Sequence, residues 1–222
     1  MKERTRRKAL FVAGFAVYFA ALWLLWYTPI IYPLKLFVVL AHEVSHGLMA
    51  MATGGTIQRI VITPDQGGMC QCPGGNPFLT LSAGYMGSLG WGALLVLAAR
   101  SKRPAPRTIT TILGVGILLL TAFYVRNTFG ILFGALFGAG LVAVRGLPRG
   151  VHVALLNALG LTSCLYALLD IKSDVIDRPY LHSDAYMLAQ MTGVPALLWG
   201  ILWILAGLAV SWLLLRTAYE SS

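Results

Sequence analysis

The chain has 222 residues, 58% of them hydrophobic and only 11% charged, with a formal net charge of +9. Soluble domains carry about one quarter charged residues, so this composition excludes a soluble globular protein and marks an integral membrane protein. The basic excess would suggest nucleic acid in a soluble chain, but here Lys and Arg gather at the ends of apolar runs, which argues against a nucleic-acid partner and for anionic lipid head groups.

The pattern predicts a single all-α polytopic membrane domain over residues 1–222, with about seven transmembrane helices and a short β-hairpin after the second. Lys2, Arg4, Arg6, Arg7 and Lys8 precede a first span at 9–28, which is longer than a signal-peptide core. That predicts a retained helix with a cytoplasmic N-terminus. Trp23, Trp26 and Tyr27 suit its far interface.

Pro29 and Pro33 interrupt the chain before the second span, 34–53, which reads LKLFVVLAHEVSHGLMAMAT. Residues four apart share a helix face, so His42 and His46 can place two ring nitrogens on one metal ion. Zinc takes nitrogen and carboxylate ligands in a tetrahedron, and a catalytic site keeps one position for water. Glu43 is placed to take a proton from that water. Three ionisable groups falling here by chance is the plain alternative. Against it, each such group at the centre of a spanning helix costs about 2.5–3.5 kcal/mol on insertion scales.

Residues 54–77 change character. Ile57 to Thr63 is rich in β-branched residues, Pro64 to Gly68 is turn chemistry, and Met69 to Cys72 can return as a second strand. The edge of the first strand, at Ile60, Val61 and Ile62, is the candidate substrate-binding element, because main-chain hydrogen bonds there would hold a peptide extended. The bland reading is a connecting hairpin. Cys70, Cys72 and Cys164 are too few and too scattered for a disulfide framework and read as ordinary thiols, the first two on alternate faces of the strand.

The third span, 78–99, aligns Gly84, Gly87 and Gly90 on one face for close packing, with the HEVSH helix as candidate neighbour. A basic loop, Arg100 to Arg107, leads to two short spans within 108–144, where Gly130, Gly134, Gly138 and Gly140 again predict tight packing. A sixth span occupies 151–170 and an acidic loop 171–193. Ser183 or Asp184 is predicted to cap a helix leading into the last span, 194–215. His152 and His182 read as core or interfacial side chains. This order puts the end of the HEVSH helix, the hairpin, Arg126 and the acidic loop on one side of the membrane, with the two basic loops opposite.

The motifs HEVSHGLMAMATGG, LSAGYMGSLGWGALL, LLDIKSDVI and SDAYMLAQMTG together resemble the site-2 protease family of intramembrane zinc metalloproteases, in its compact peptidase-like branch found in bacteria and plants. In that family two histidines and an aspartate from a later helix bind zinc, and the glutamate is the base. The resemblance therefore implies one Zn(II) ion held by His42 and His46, with Glu43 as catalytic base. Better-known members place the third ligand in an LDG motif, where this chain has Leu169-Asp170-Ile171. Asp170 is favoured, because it ends an apolar helix and so can reach the depth of the histidines; Asp184 is second and Asp174 third. Each also suits a capping or interfacial carboxylate.

The activity implied is hydrolysis of a peptide bond in or near the transmembrane segment of another membrane protein, with that protein and the surrounding lipids as partners. The setting expected is a bacterial plasma membrane. Two other readings stand beside it. One is an inactive membrane protein whose structural metal is closed by four protein ligands, for instance His42, His46, Asp170 and Asp184. The other is a small transporter, against which no inverted repeat is apparent. Substrate and oligomeric state are not legible.

Overall fold

The computed structural model describes residues 2–26, 28–177 and 182–220. Tyr27 and residues 178–181, which the sequence reading assigns to an interface and to the acidic loop, lie outside them. In chain order the described elements are α1 (Lys2–Leu25), α2 (Tyr32–Ala52), β1 (Arg59–Ile62), β2 (Gly68–Gln71), α3 (Pro77–Ala99), α4 (Pro106–Tyr124), α5 (Thr128–Ala143), α6 (Arg149–Lys172), α7 (Asp184–Thr192) and α8 (Ala196–Glu220). A single 3-10 turn, Val144–Gly146, follows α5, and a π-helical turn, Ser173–Asp177, extends α6. Among the described residues, α2, α3, α4, α5 with its 3-10 turn, α6 with its π turn, and α8 are long and apolar enough to cross a membrane, and α1 adds the apolar stretch Ala16–Leu25. The protein is an all-α polytopic membrane protein with one two-stranded hairpin.

Helix α2 is the hub. Pro33 in its first turn has its φ preset for a helix and lacks only an N–H that would be unpaired there in any case. Of its most apolar stretch, 72% is buried inside the protein, against 22% for α4 and for α5. The latter two therefore turn most of their surface to lipid. Around α2, residues Leu36 to Leu40 and Val44 pack with Leu95, Ile117, Leu156 and Leu159 from α3, α4 and α6. Lys35 enters this apolar setting with its ammonium 4.3 Å from the centroid of the Trp26 ring, a cation–π contact.

Small residues set the helix spacing. A methyl group at Gly92 of α3 would stand 2.8 Å from the Gly160 carbonyl oxygen of α6, and one at Gly160 would stand 2.7 Å from that of Gly92. Gly87 abuts Ser45 of α2, as the glycine spacing predicts, whereas Gly90 and Gly140 face open space and contribute no such contact. On α4 and α5 the close approach is between Gly114 and Gly138.

The hairpin does not stay at the membrane face where it begins. It folds back along α2: Ile57 packs at Gly47, Gly68 at Glu43, and the Tyr32 hydroxyl donates to the Pro64 carbonyl in the turn at 2.6 Å. Chain leaving the last turn of α2 thus returns to its first. Strands β1 and β2 pair antiparallel with Ile60 opposite Cys70 and Ile62 opposite Gly68.

This arrangement corrects two expectations. Ile60, Val61 and Ile62 do not form a free edge. The outer side of β1 is occupied by the α4–α5 connection, where Arg126 N donates to Ile60 O at 3.1 Å and Asn127 pairs with Ile62. Ile60 and Ile62 are themselves wholly buried. Among the described residues, β2 is the strand whose outer edge no other strand or connection pairs. Cys70 and Cys72 are not separate thiols on opposite strand faces but are joined as a disulfide. The strand ends at Gln71, and the chain bends so that the two Cα atoms stand 5.6 Å apart, closer than the roughly 6.6 Å of two residues along an extended strand. Cys164 is a free, buried thiol.

The acidic loop is also more structured than expected. Ser183 is an N-cap, its side chain accepting from Tyr186 N, but the helix it starts does not run into the last span. Gly193, in the left-handed region at φ 73°, and Pro195 end α7 after nine residues. Asp184 is the first residue of that short helix.

Candidate metal centre

Helix α2 presents His42 and His46 on one face, one turn apart, with ring centroids 4.7 Å from each other. Helix α3 crosses directly over them. The Thr80 carbonyl oxygen lies 2.7 Å from His46 Nδ1, which fixes the proton on that nitrogen and leaves the Nε2 lone pair turned toward the site. One turn further, a side chain at Gly84 would collide with Nε2 of both rings, so only a glycine leaves the space beside them open. The Tyr85 ring then packs edge-to-face on His42 at 4.9 Å.

Asp184 completes the group. Its Oδ2 lies 3.0 Å from His42 Nε2 and 3.2 Å from His46 Nε2. All three side chains are withdrawn from solvent, His42 the most open at 15% exposure. Lone pairs on two imidazoles and a carboxylate meeting at such separations repel unless a cation stands among them, either a proton or a metal ion. Among the described residues, His42, His46 and Asp184 are the grouping whose donor atoms all lie within 4.8 Å of one another. Two nitrogens and one oxygen, with one ring oriented by a carbonyl behind it, suit a transition-metal ion.

Of the three candidate aspartates, the structure brings Asp184 to the imidazoles rather than the favoured Asp170. Asp170 lies in the last turns of α6, near enough for its charge to be felt at His42, but outside the grouping. Asp174 is turned to a different partner, accepting from the Tyr85 hydroxyl at 2.6 Å. Membrane depth along α6 favours Asp170, but α7 folds back and brings its own first residue to the histidines. The signal is present in Ser183, a helix cap ten residues ahead of a terminating Gly193.

Glu43 is buried beside the pair and faces the hairpin. Gly68 of β2 stands against its carboxylate. The open edge of β2 and the glutamate are therefore adjacent. His152 is fully buried and, among the described residues, neither of its ring nitrogens has a partner, while His182 packs its ring on Tyr186 at 4.9 Å; neither joins the grouping.

A bundle of helices apolar enough to cross a membrane, which brings a carboxylate to two imidazoles on its central helix, is a polytopic membrane protein with a candidate metal centre. The chain belongs to the Peptidase M50B-like family, whose model matches residues 15–214. This is the site-2 protease family that the motifs resemble, and at family level its members are intramembrane metalloproteases. No curated protein and no solved structure matches the chain.

Proposed function

We propose that this protein is a zinc-dependent intramembrane protease that hydrolyses a peptide bond in or near the transmembrane segment of another membrane protein. The observation that carries the reading is the convergence of His42 Nε2, His46 Nε2 and Asp184 Oδ2, with the Glu43 carboxylate alongside. Three protein donors leave one position of a tetrahedron for water, as catalytic zinc sites do. A structural site would need a fourth protein ligand, and among the described residues Asp170 does not join the grouping.

His42, His46 and Asp184 would hold the ion, which when bound supplies Lewis-acid chemistry, polarising a carbonyl and making water more acidic. The chain's own residues do the rest. Glu43 takes the proton from the attacking water and passes it to the leaving amine. Thr80 holds the His46 tautomer. The substrate segment, locally unwound, pairs with the open edge of β2, beside the Glu43 carboxylate. That edge, rather than Ile60 to Ile62, is the substrate strand we assign.

The test is Glu43→Gln in the purified full-length protein, assayed with a membrane-protein substrate in detergent or liposomes. The glutamine keeps the shape and removes the base. Cleavage should fall by about 100-fold or more while one equivalent of zinc is retained. Chelation of the ion should abolish wild-type cleavage and zinc should restore it. Undiminished cleavage by the Gln variant defeats the assignment.

A further inference from the structure

Two groups near the centre have no part in the reaction as described: the Tyr85 hydroxyl and the Asp174 carboxylate. Tyr85 is 1% exposed, on the residue after Gly84, and touches both halves of the site. Its ring edge packs on His42 from α2, with an interplanar angle of 80°. Its body shares a buried cluster with Ile171 and Val175 of α6 and its π turn, Ala185 and Leu188 of α7, and Trp203 of α8. Its hydroxyl donates to Asp174 Oδ2 at 2.6 Å, the short distance of a bond to a charged acceptor.

Asp174 sits in the π turn Ser173–Asp177. Such turns add a residue to a helical coil and are frequent at functional sites. In the chain the turn lies between α6 and α7, and its Val175 packs in one cluster with Ala185 and Leu188 of α7. One side chain on α3 therefore reaches the helix carrying two candidate ligands and the stretch leading to the third.

We propose that Tyr85 and Asp174 form a positioning pair for the metal centre: the ring sets the orientation of His42, and the hydroxyl–carboxylate bond fixes the π turn so that α7 holds Asp184 against both imidazoles. His46 is oriented by a carbonyl at its far nitrogen, whereas His42 is oriented by an aromatic edge anchored to an acid. This inference rests on the metal reading above and adds to it residues that touch neither ion nor substrate.

The experiment measures metal affinity of the full-length protein in detergent by chelator competition, with Zn(II) and with Co(II), whose visible absorption reports coordination. Tyr85→Phe keeps the ring and removes the bond; Asp174→Asn keeps the shape and removes the charge. Each should weaken metal binding about 10–100-fold, the effect usual for groups behind a ligand, and should alter the cobalt spectrum. Because the two act through one bond, the double variant should lose no more than the weaker single variant. Tyr18→Phe, which removes the hydroxyl bonds to Thr162 and Ala158 elsewhere in the bundle, should bind metal as the wild type does. Where one variant fails to give a helical sample, the other carries the measurement. Affinities within threefold of wild type for the single variants, or losses that multiply in the double variant, overturn the pairing alone. A wild-type protein that takes up no metal overturns the pairing together with the reading beneath it.

Discussion

The Asn127 carboxamide closes on Ile62 in both directions: Nδ2 donates to the Ile62 carbonyl at 2.7 Å, and Ile62 N donates to Oδ1 at 3.2 Å. One side chain thereby makes the two bonds that a neighbouring strand would make. Together with Arg126 N on Ile60 O, it seals the outer edge of β1 and leaves β2 as the strand open to a partner. Asn127→Ala should leave those backbone groups unpaired and destabilise the protein by about 1–3 kcal/mol. Thermal unfolding in detergent checks the loss, and limited proteolysis should show faster cutting within residues 58–72.

The third ligand can be assigned by two matched substitutions. Asp184→Asn should lower zinc affinity by at least about 100-fold, whereas Asp170→Asn should still bind one equivalent. Zinc content after dialysis against a weak chelator distinguishes them. Retention by the first with loss by the second would reverse the assignment.

Gly84→Ala separates the site from the fold. The added methyl would meet Nε2 of both histidines, so the rings must turn away and metal binding should fall sharply. The helix itself should gain up to about 1 kcal/mol from replacing glycine. The expected result is a protein that melts no lower than wild type yet neither holds zinc nor cleaves.

Gly90 and Gly92 lie two residues apart on α3 and should respond in opposite ways. A methyl at Gly90 meets nothing within 4 Å, and Gly90→Ala should be neutral or slightly stabilising. At Gly92 the methyl would stand 2.8 Å from the Gly160 carbonyl oxygen and 2.6 Å from Cys164 Sγ, so Gly92→Ala should cost about 1–3 kcal/mol. Paired thermal melts measure the difference.

Much of this architecture was legible in the chain alone because lipid imposes a simple code. Long apolar runs must become helices, since every backbone group has to be paired within its own segment. The HEVSH spacing declared its ring pair for the same reason, as helical periodicity needs no tertiary information. The β-branched run at Ile57 to Thr63 and its turn residues announced a hairpin equally locally. What the chain did not reveal were relationships between segments far apart in it. The hairpin folds back along α2 instead of lying at one face, and the Val125 to Asn127 connection covers β1, which moves the open edge to β2. Likewise, of the three candidate aspartates, the one beside the rings is decided by where Gly193 and Pro195 end a nine-residue helix and by how α7 packs beneath Tyr85. Periodicity and composition act over a few turns and are written residue by residue. Which carboxylate meets which imidazole depends on packing among α2, α3, α6 and α7, and only the assembled bundle supplies that.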